Sequence, residues 1–312
     1  LAESGLNTTT VSGLDASFID VASNATITAQ AFGTLNATAN STGGDSTAKA
    51  GQYTSGAGES TSVLTGLETG LDLNIGGIGT LSALAQGSEN ASATTVDGIA
   101  TASAGLDLNG AIGLDFASSS DGSLTGIAKL AATVDASSTA NTSQANGDFR
   151  AIGFSGLDIG TYDGPGNNND VIGIGGISTL KGQAQITGTL NTESVSGNAL
   201  AGVGDFASSI VGMHDVVLNG ASDGTILGTA SGVFNTNAES TGANASGFSS
   251  QNLVGISSLN LELGGNGGIN AIVNDTNFVG AQSVSGNATA VASVNAIGLD
   301  GGDMHIAGNA SI

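Results

Sequence analysis

The chain has 312 residues, with 52 glycines, one proline, no cysteine and a formal net charge of −22 that reflects a scarcity of lysine and arginine. Without cysteine there are no disulfides or thiolate metal sites, and four scattered basic residues, Lys49, Lys129, Arg150 and Lys181, are too few for a nucleic-acid interface. We therefore expect no nucleic-acid binding. No apolar run approaches the about 20 residues of a membrane-spanning helix, so we also expect no membrane insertion.

The first predicted element is an alternating segment from Ile19 to Asn40. Small apolar residues occupy most odd positions, and Asp, Asn, Thr and Gln occupy most even ones. This period of two predicts a β-strand with one small apolar face and one face of hydroxyls and amides. A straight strand of this length would extend about 73 Å, so we expect it to bend or turn back near Gly33.

Alternation continues along the rest of the chain. It predicts further strands at 78–87, 98–104, 124–134, 182–190, 225–236, 258–263 and 278–297. Helix is disfavoured because glycine is frequent and no window fits a helical apolar pattern better than the alternating one. Sustained periodicity also argues against disorder, which the composition alone would permit. The sequence therefore predicts an all-β chain.

A degenerate repeat organises these strands. Gly-Leu-Asp starts occur at Gly13, Gly70, Gly105, Gly156 and Gly298, with looser versions at Gly212 and Gly255. One repeat has too little apolar volume for its own core, whereas stacked neighbours would bury a continuous one. We predict a β-solenoid, or a solenoid-like stacked two-sheet array, of about six repeats over 13–297. An ordinary β-sandwich is the structural alternative.

One repeat carries an insertion at 160–172. The segments 75–81 and 174–180 match at six of seven positions, and their alignment leaves 13 extra residues in the second repeat, including the only proline. Asp163, Asn167, Asn169 and Asp170 supply the oxygen donors that Ca²⁺ prefers. The insertion is therefore a candidate calcium site, and no other cofactor is expected.

The remaining acidic and histidine positions favour structural roles. The aspartates of the repeat starts are Asp15, Asp72, Asp107, Asp158, Asp215 and Asp300. They fit either Asx-turns or a ladder of metal ligands, and turns are the favoured interpretation. His214 and His305 each follow a methionine, which indicates a structural position rather than a coupled metal site. The sequence contains no nucleophile elbow, phosphate-binding P-loop or H-E-x-x-H motif, so we do not expect an enzyme.

The Gly-Leu-Asp starts and segments such as Ser283–Val294 resemble bacterial extracellular β-strand-repeat surface proteins, which include filament subunits, adhesin stalks and surface-layer components. The resemblance is compositional and covers essentially the whole chain. It implies an extracellular structural role at the cell surface, and it transfers no site residue.

The segments 1–12 and 298–312 flank the repeat array, and neither has a cap that the sequence reveals. The chain begins at Leu1 without a leader, which fits a secreted protein or a trimmed fragment. We expect a structural subunit of an extracellular filament or surface layer that polymerises head to tail, one end segment pairing with another copy. The alternatives are an adhesin stalk or polysaccharide-binding solenoid that contacts a surface polysaccharide near Tyr162, and a calcium-dependent surface-layer protein.

Overall fold

The computed structural model describes residues 2–4, 10–14, 18–51, 62–67, 71–159 and 174–312. Within these ranges the chain is all-β and forms two stacked sheets of parallel strands. The strands are β1 (Ala2–Ser4), β2 (Thr10–Leu14), β3 (Phe18–Val21), β4 (Ala25–Ser41), β5 (Ser46–Gly51), β6 (Ser62–Leu67), β7 (Leu71–Ile75), β8 (Gly79–Thr95), β9 (Ala100–Ile112), β10 (Leu114–Ser118), β11 (Gly122–Ser138), β12 (Ser143–Ile159), β13 (Ser178–Ser194), β14 (Ala199–Gly220), β15 (Gly224–Ser240), β16 (Ala245–Leu263), β17 (Gly267–Ser283), β18 (Ala288–Asp300), β19 (Met304–Ile306) and β20 (Ala310–Ser311).

Sheet 1 contains seven strands in the order β4-β8-β11-β13-β15-β17-β20. The first six have 17 residues each and pair over their full length without a register shift. Partners are 43 residues apart between β8 and β11 and between β15 and β17. The other neighbours are 54, 56 and 46 residues apart, so these turns of the chain carry additional residues.

Sheet 2 contains the remaining thirteen strands. One coil consists of a strand of sheet 1, a four-residue turn, a run through sheet 2 and a three-residue turn back to sheet 1. The predicted all-β, stacked two-sheet array is confirmed. Its strands are parallel, as in a solenoid, and not antiparallel as in the sandwich alternative.

Two of the predicted strands are each divided by a turn. The segment from Ile19 to Asn40 breaks at residues 22–24, between β3 and β4, and does not turn near Gly33. Gly33 instead faces the core, where a Cβ atom would lie 2.7 Å from the Leu64 side chain. The predicted strand 278–297 is also two strands, separated by the turn at 284–287.

A column of glycines forms a waist between the sheets. At the waist, a Cβ on Gly153 would overlap the backbone nitrogen of Gln183 in sheet 1 and lie 2.5 Å from the carbonyl oxygen of Gly212. Equivalent register positions in sheet 2 hold Gly13, Gly66, Gly110, Gly153, Gly212, Gly255 and Gly298. The sheets approach there backbone to backbone, which separates two cores.

The two cores differ in position and composition. The lobe beside the four-residue turns, which we call lobe 1, is filled by many alanines and by larger side chains such as Leu106, Phe149 and Phe234. The lobe beside the three-residue turns, lobe 2, is richer in leucine and isoleucine and contains Phe116. Small side chains at most inward positions of lobe 1 let the sheets lie close together.

Sheet 2 bends three residues beyond the waist. The bend residues have positive φ angles: Gly113 (56°), Gly156 (57°), Asp215 (52°), Ser258 (56°) and Gly301 (69°). The waist favours glycine because the two sheets are in backbone contact there, and the bend favours it because φ is positive. The glycine of a Gly-Leu-Asp start can therefore lie at either position, so starts that match in sequence do not all occupy the same place in the coil. Gly13 and Gly298 belong to the waist, Gly156 belongs to the bend, and Gly105 pairs with Gly51 at neither position.

Candidate functional site

The predicted calcium ligands, Asp163, Asn167, Asn169 and Asp170, lie outside the described residues, as does the whole predicted insertion at 160–172. In the part of the chain that the structure describes, no group of three or more His, Asp or Glu side chains is placed to hold a metal ion. The calcium site stays a prediction.

The aspartates of the repeat starts do not form one ladder. Asp72 and Asp158 share a column of sheet 2, since both pair with the same residue of β10. Asp107 and Asp300 lie in two other columns, and Asp215 occupies the bend. Asp15 lies outside the described residues. The described members are therefore distributed over several columns.

The two histidines are also separate. His214 lies opposite Ser257 and His305 opposite Glu262, on the two sides of β16 and five residues apart along it. The Nε2 atom of His214 is 3.2 Å from Oδ2 of the adjacent Asp215, and both side chains are solvent-accessible. The structure does not bring the histidines together into one site.

Asn and Asp side chains connect successive coils at both types of turn. At the three-residue turns, Oδ1 of Asp121 accepts a hydrogen bond from the N–H of Ile177 at 2.9 Å, and Oδ1 of Asp223 accepts one from the N–H of Asn266 at 2.6 Å. At the four-residue turns, Oδ1 of Asn244 accepts one from the N–H of Asn287 at 2.8 Å. These side chains satisfy backbone groups of the next coil and set its register.

Hydroxyl groups at the end of sheet 1 strands have a similar role. The Ser194 hydroxyl accepts a hydrogen bond from the N–H of Gly197 at 2.9 Å and donates one to the carbonyl oxygen of Asn141 in the preceding coil at 2.6 Å. Ser240 repeats this arrangement one coil later. Sequence reasoning missed both ladders because their members align only once the insertions are removed.

The outer face of sheet 1 is a regular polar surface. It consists of the outward side chains of the six 17-residue strands, most of them Thr, Ser, Asn or Gln. One hydroxyl column, for example, contains Thr26, Thr80, Ser123, Thr179 and Thr225. Its charged residues are Lys129, Lys181, Asp135, Glu193 and Glu239.

A shallow groove of about 280 Å³ lies on this face, near the four-residue turns. Its polar lining includes Asp135, Asn191, Glu193, Asn237 and Glu239, and none of its lining residues is aromatic. The Asn191 amide donates to Oδ1 of Asp135, and the Asn237 amide donates to Oε1 of Glu239, both at 2.9 Å. Two carboxylates are thus already hydrogen-bonded to neighbouring amides.

Glu89 is a carboxyl group inside the protein. It points into lobe 1 from β8 and is 2% exposed, and within the described residues its oxygens make no hydrogen bond of good geometry. Burial raises the pKa of Glu89 well above its usual range, and the nearby backbone of Gly105 offsets only part of that increase. The sequence held a signal for it, because Glu89 interrupts the apolar phase between Gly87 and Ala91.

Comparison of the chain with protein-family models, curated proteins and solved structures gave no match. No family membership and no site residue therefore comes to this chain from another protein. Within the described ranges, no helix could cross a membrane.

Proposed function

We propose that the protein is a β-solenoid of about six coils that serves as a structural subunit of an extracellular filament or surface layer, and that copies join head to tail by β-strand pairing. The observation that carries this proposal is an open parallel edge on the last long strands, β17 and β18. Parallel ladders extend by adding a strand to such an edge.

The coil architecture supports the proposal because it is repetitive and stacks without specialised contacts. Each strand of sheet 1 presents the same backbone register to the next, and the Asn, Asp and Ser ladders repeat at the turns. Small inward side chains make successive coils nearly equivalent as stacking surfaces. A coil of a second copy can therefore use the same contacts.

The open edge itself is well defined. Among the described residues, only Gly267 and Gly268 on the far side of β17 have a strand partner, β20, and β18 pairs only with β16. Val291 and Val294 of β18 are 46% and 42% exposed. At the opposite side of sheet 1, β4 pairs only with β8 within the described ranges. Two complementary edges are thus available for pairing between copies.

The alternative functions receive less support. The groove on sheet 1 has no aromatic lining residue, whereas stacked aromatics are typical of carbohydrate grooves. A polysaccharide-binding module, an adhesin stalk and a calcium-dependent surface layer stay predictions.

A proline in β17 tests the edge directly. The N–H of Gly267 donates toward β20, to the carbonyl oxygen of Asn309, so alternate residues from Gly267 onward direct their N–H groups to the open side. Val279 is one of these residues, so its N–H group points to the open side. We expect electron microscopy to show filaments or layers of the unmodified protein, and Val279→Pro to abolish them while circular dichroism stays unchanged. Monodisperse particles of the unmodified protein would contradict the proposal.

Asp275 is expected to make assembly dependent on pH. It points inward from β17, and partial burial raises its pKa while the backbone of Thr276 lowers it. A second strand would bury this carboxyl further, and the neutral form costs less to bury. Sedimentable assembly should therefore increase as pH falls through the pKa of Asp275.

Asp275→Asn should assemble at neutral pH as readily as the unmodified chain does in acid. The control is Asp97→Asn, which removes the same charge from an exposed turn and should leave the pH profile unchanged. Equal responses of the two variants would show that acid acts only by reducing the net negative charge of the chain.

A further inference from the structure

We propose that two copies also associate side by side through the outer face of sheet 1, related by a twofold axis that runs parallel to the solenoid axis and passes over Thr187. This lateral contact goes beyond the end-to-end pairing proposed above and does not depend on it. Together the two contacts would produce a layer rather than a single filament.

The outer face of sheet 1 carries almost none of the net charge of the chain. Its two lysines and three carboxylates give a formal charge of −1, compared with −22 for the whole sequence. Two copies that approach through most other surfaces bring many carboxylates together. The outer face of sheet 1 therefore offers an approach with little like-charge repulsion.

The face is also large enough for a stable contact. Six strands about 4.8 Å apart, each 17 residues long at about 3.3 Å per residue, cover about 1,500 Å². A specific interface needs about 800 Å² from each partner. Half of the face is sufficient.

One twofold operation brings a basic and an acidic side chain of the face together. Lys181 and Glu193 both point outward from β13 and lie six residues on either side of Thr187. An axis over Thr187, parallel to the solenoid axis, places Lys181 of each copy opposite Glu193 of the other. The acidic residues of the face all lie near the C-terminal ends of their strands. An axis along the strands would place these ends of the two copies over each other, which is repulsive.

Residues along the proposed axis permit close approach. Thr187 pairs in register with Ala131 on one side and with Val233 on the other, so all three lie on the axis. Val233 is 39% exposed and would contact its own equivalent in the second copy. A line of small or apolar side chains at the centre, with ion pairs to either side, is typical of protein interfaces.

The test measures self-association of the full chain by sedimentation equilibrium at low salt, with and without Val279→Pro to block end pairing. We expect dimers in the Val279→Pro background. Lys181→Glu and Glu193→Lys should each raise the dimer dissociation constant about tenfold or more, and the double variant should restore most of the affinity. Arg150→Glu makes the same charge change on sheet 2 and should have little effect.

Three results would overturn the lateral contact. These are a monomeric Val279→Pro protein at tens of micromolar, a charge-swapped double variant that is no better than the single variants, and an Arg150→Glu variant as weak as Lys181→Glu. A monomer that cosediments with an insoluble neutral polysaccharide would assign the face to a different partner. Lateral dimers without filaments would leave this inference intact and contradict the end-to-end proposal.

Discussion

Gly153→Ala is expected to destabilise the protein by at least about 3 kcal/mol, or to prevent folding, because the waist has no room for a side chain. A Cβ atom on Gly153 would overlap the backbone nitrogen of Gln183 and crowd the carbonyl oxygen of Gly212. Both obstacles are backbone atoms, which cannot move aside as a flexible side chain can. The two sheets would have to separate along several coils.

Gly202→Ala is the matched control. Gly202 also lies in a strand of sheet 2, but a Cβ atom there would have no heavy atom of the described residues within 4 Å. Alanine at this position should leave the free energy of unfolding unchanged or raise it by about 0.5–1 kcal/mol, since glycine is unfavourable within a strand. Chemical denaturation followed by circular dichroism compares the two variants. Equal stability of both would show that the waist is not a close backbone contact.

Glu89→Leu should stabilise the protein at pH 7.5 by about 2–4 kcal/mol, because it removes a carboxyl group from an apolar core in which the backbone of Gly105 offsets only part of the cost of burial. Leucine is similar in size to glutamate, and the register neighbours of Glu89 in sheet 1 are Leu35 and Ala132. The side chain would therefore join an existing apolar column.

The stability effect at Glu89 should depend on pH. The folded chain holds the Glu89 proton to higher pH than the unfolded chain does, because burial raises its pKa. The free energy of unfolding is thus highest below the ordinary carboxyl pKa and falls as pH rises through the raised pKa. The difference between Glu89→Leu and the unmodified chain should widen between pH 5 and pH 8.

Glu89→Gln separates charge from packing. It removes the titration but keeps an unsatisfied polar group in the core, so it should flatten the pH dependence without the full gain of leucine. Denaturant midpoints across the pH range measure all three proteins. A Glu89→Leu variant less stable than the unmodified chain at every pH would indicate that the carboxyl has a stabilising partner.

Alternation predicted the long strands of sheet 1 and their inward phase, but it did not predict β12 and β14 of sheet 2. Ala29, Ala31 and Leu35 occupy the apolar phase of the first segment, and all three are buried in β4. This regularity also predicted stacked sheets, because a face made of alanine and glycine cannot form a core alone. The fold class was therefore accessible from the sequence.

The roles of individual glycines were not accessible. Gly33 contacts a side chain, Gly153 contacts backbone and Gly113 provides a left-handed bend, yet all three look alike in the sequence. The difference depends on which residues of other strands lie opposite. Chain segments of variable length between strands conceal that register until the pairing is known.

The candidate sites show the same limit. The polar outer face was visible in the alternation at 19–40, but its near neutrality and the symmetric placement of Lys181 and Glu193 emerge only from the register of six strands. Glu89 was detectable as a charge in the apolar phase. The predicted calcium ligands lie outside the described residues and stay untested.

Cryo-electron microscopy of the assembled protein, at a resolution that separates strands, tests the end-to-end proposal most directly. We expect strands about 4.8 Å apart to continue without interruption through the junction between copies, with β17 and β18 each paired to a strand of the next copy. Junctions formed only by side-chain contacts, or a protein that remains as single particles, would contradict the proposal.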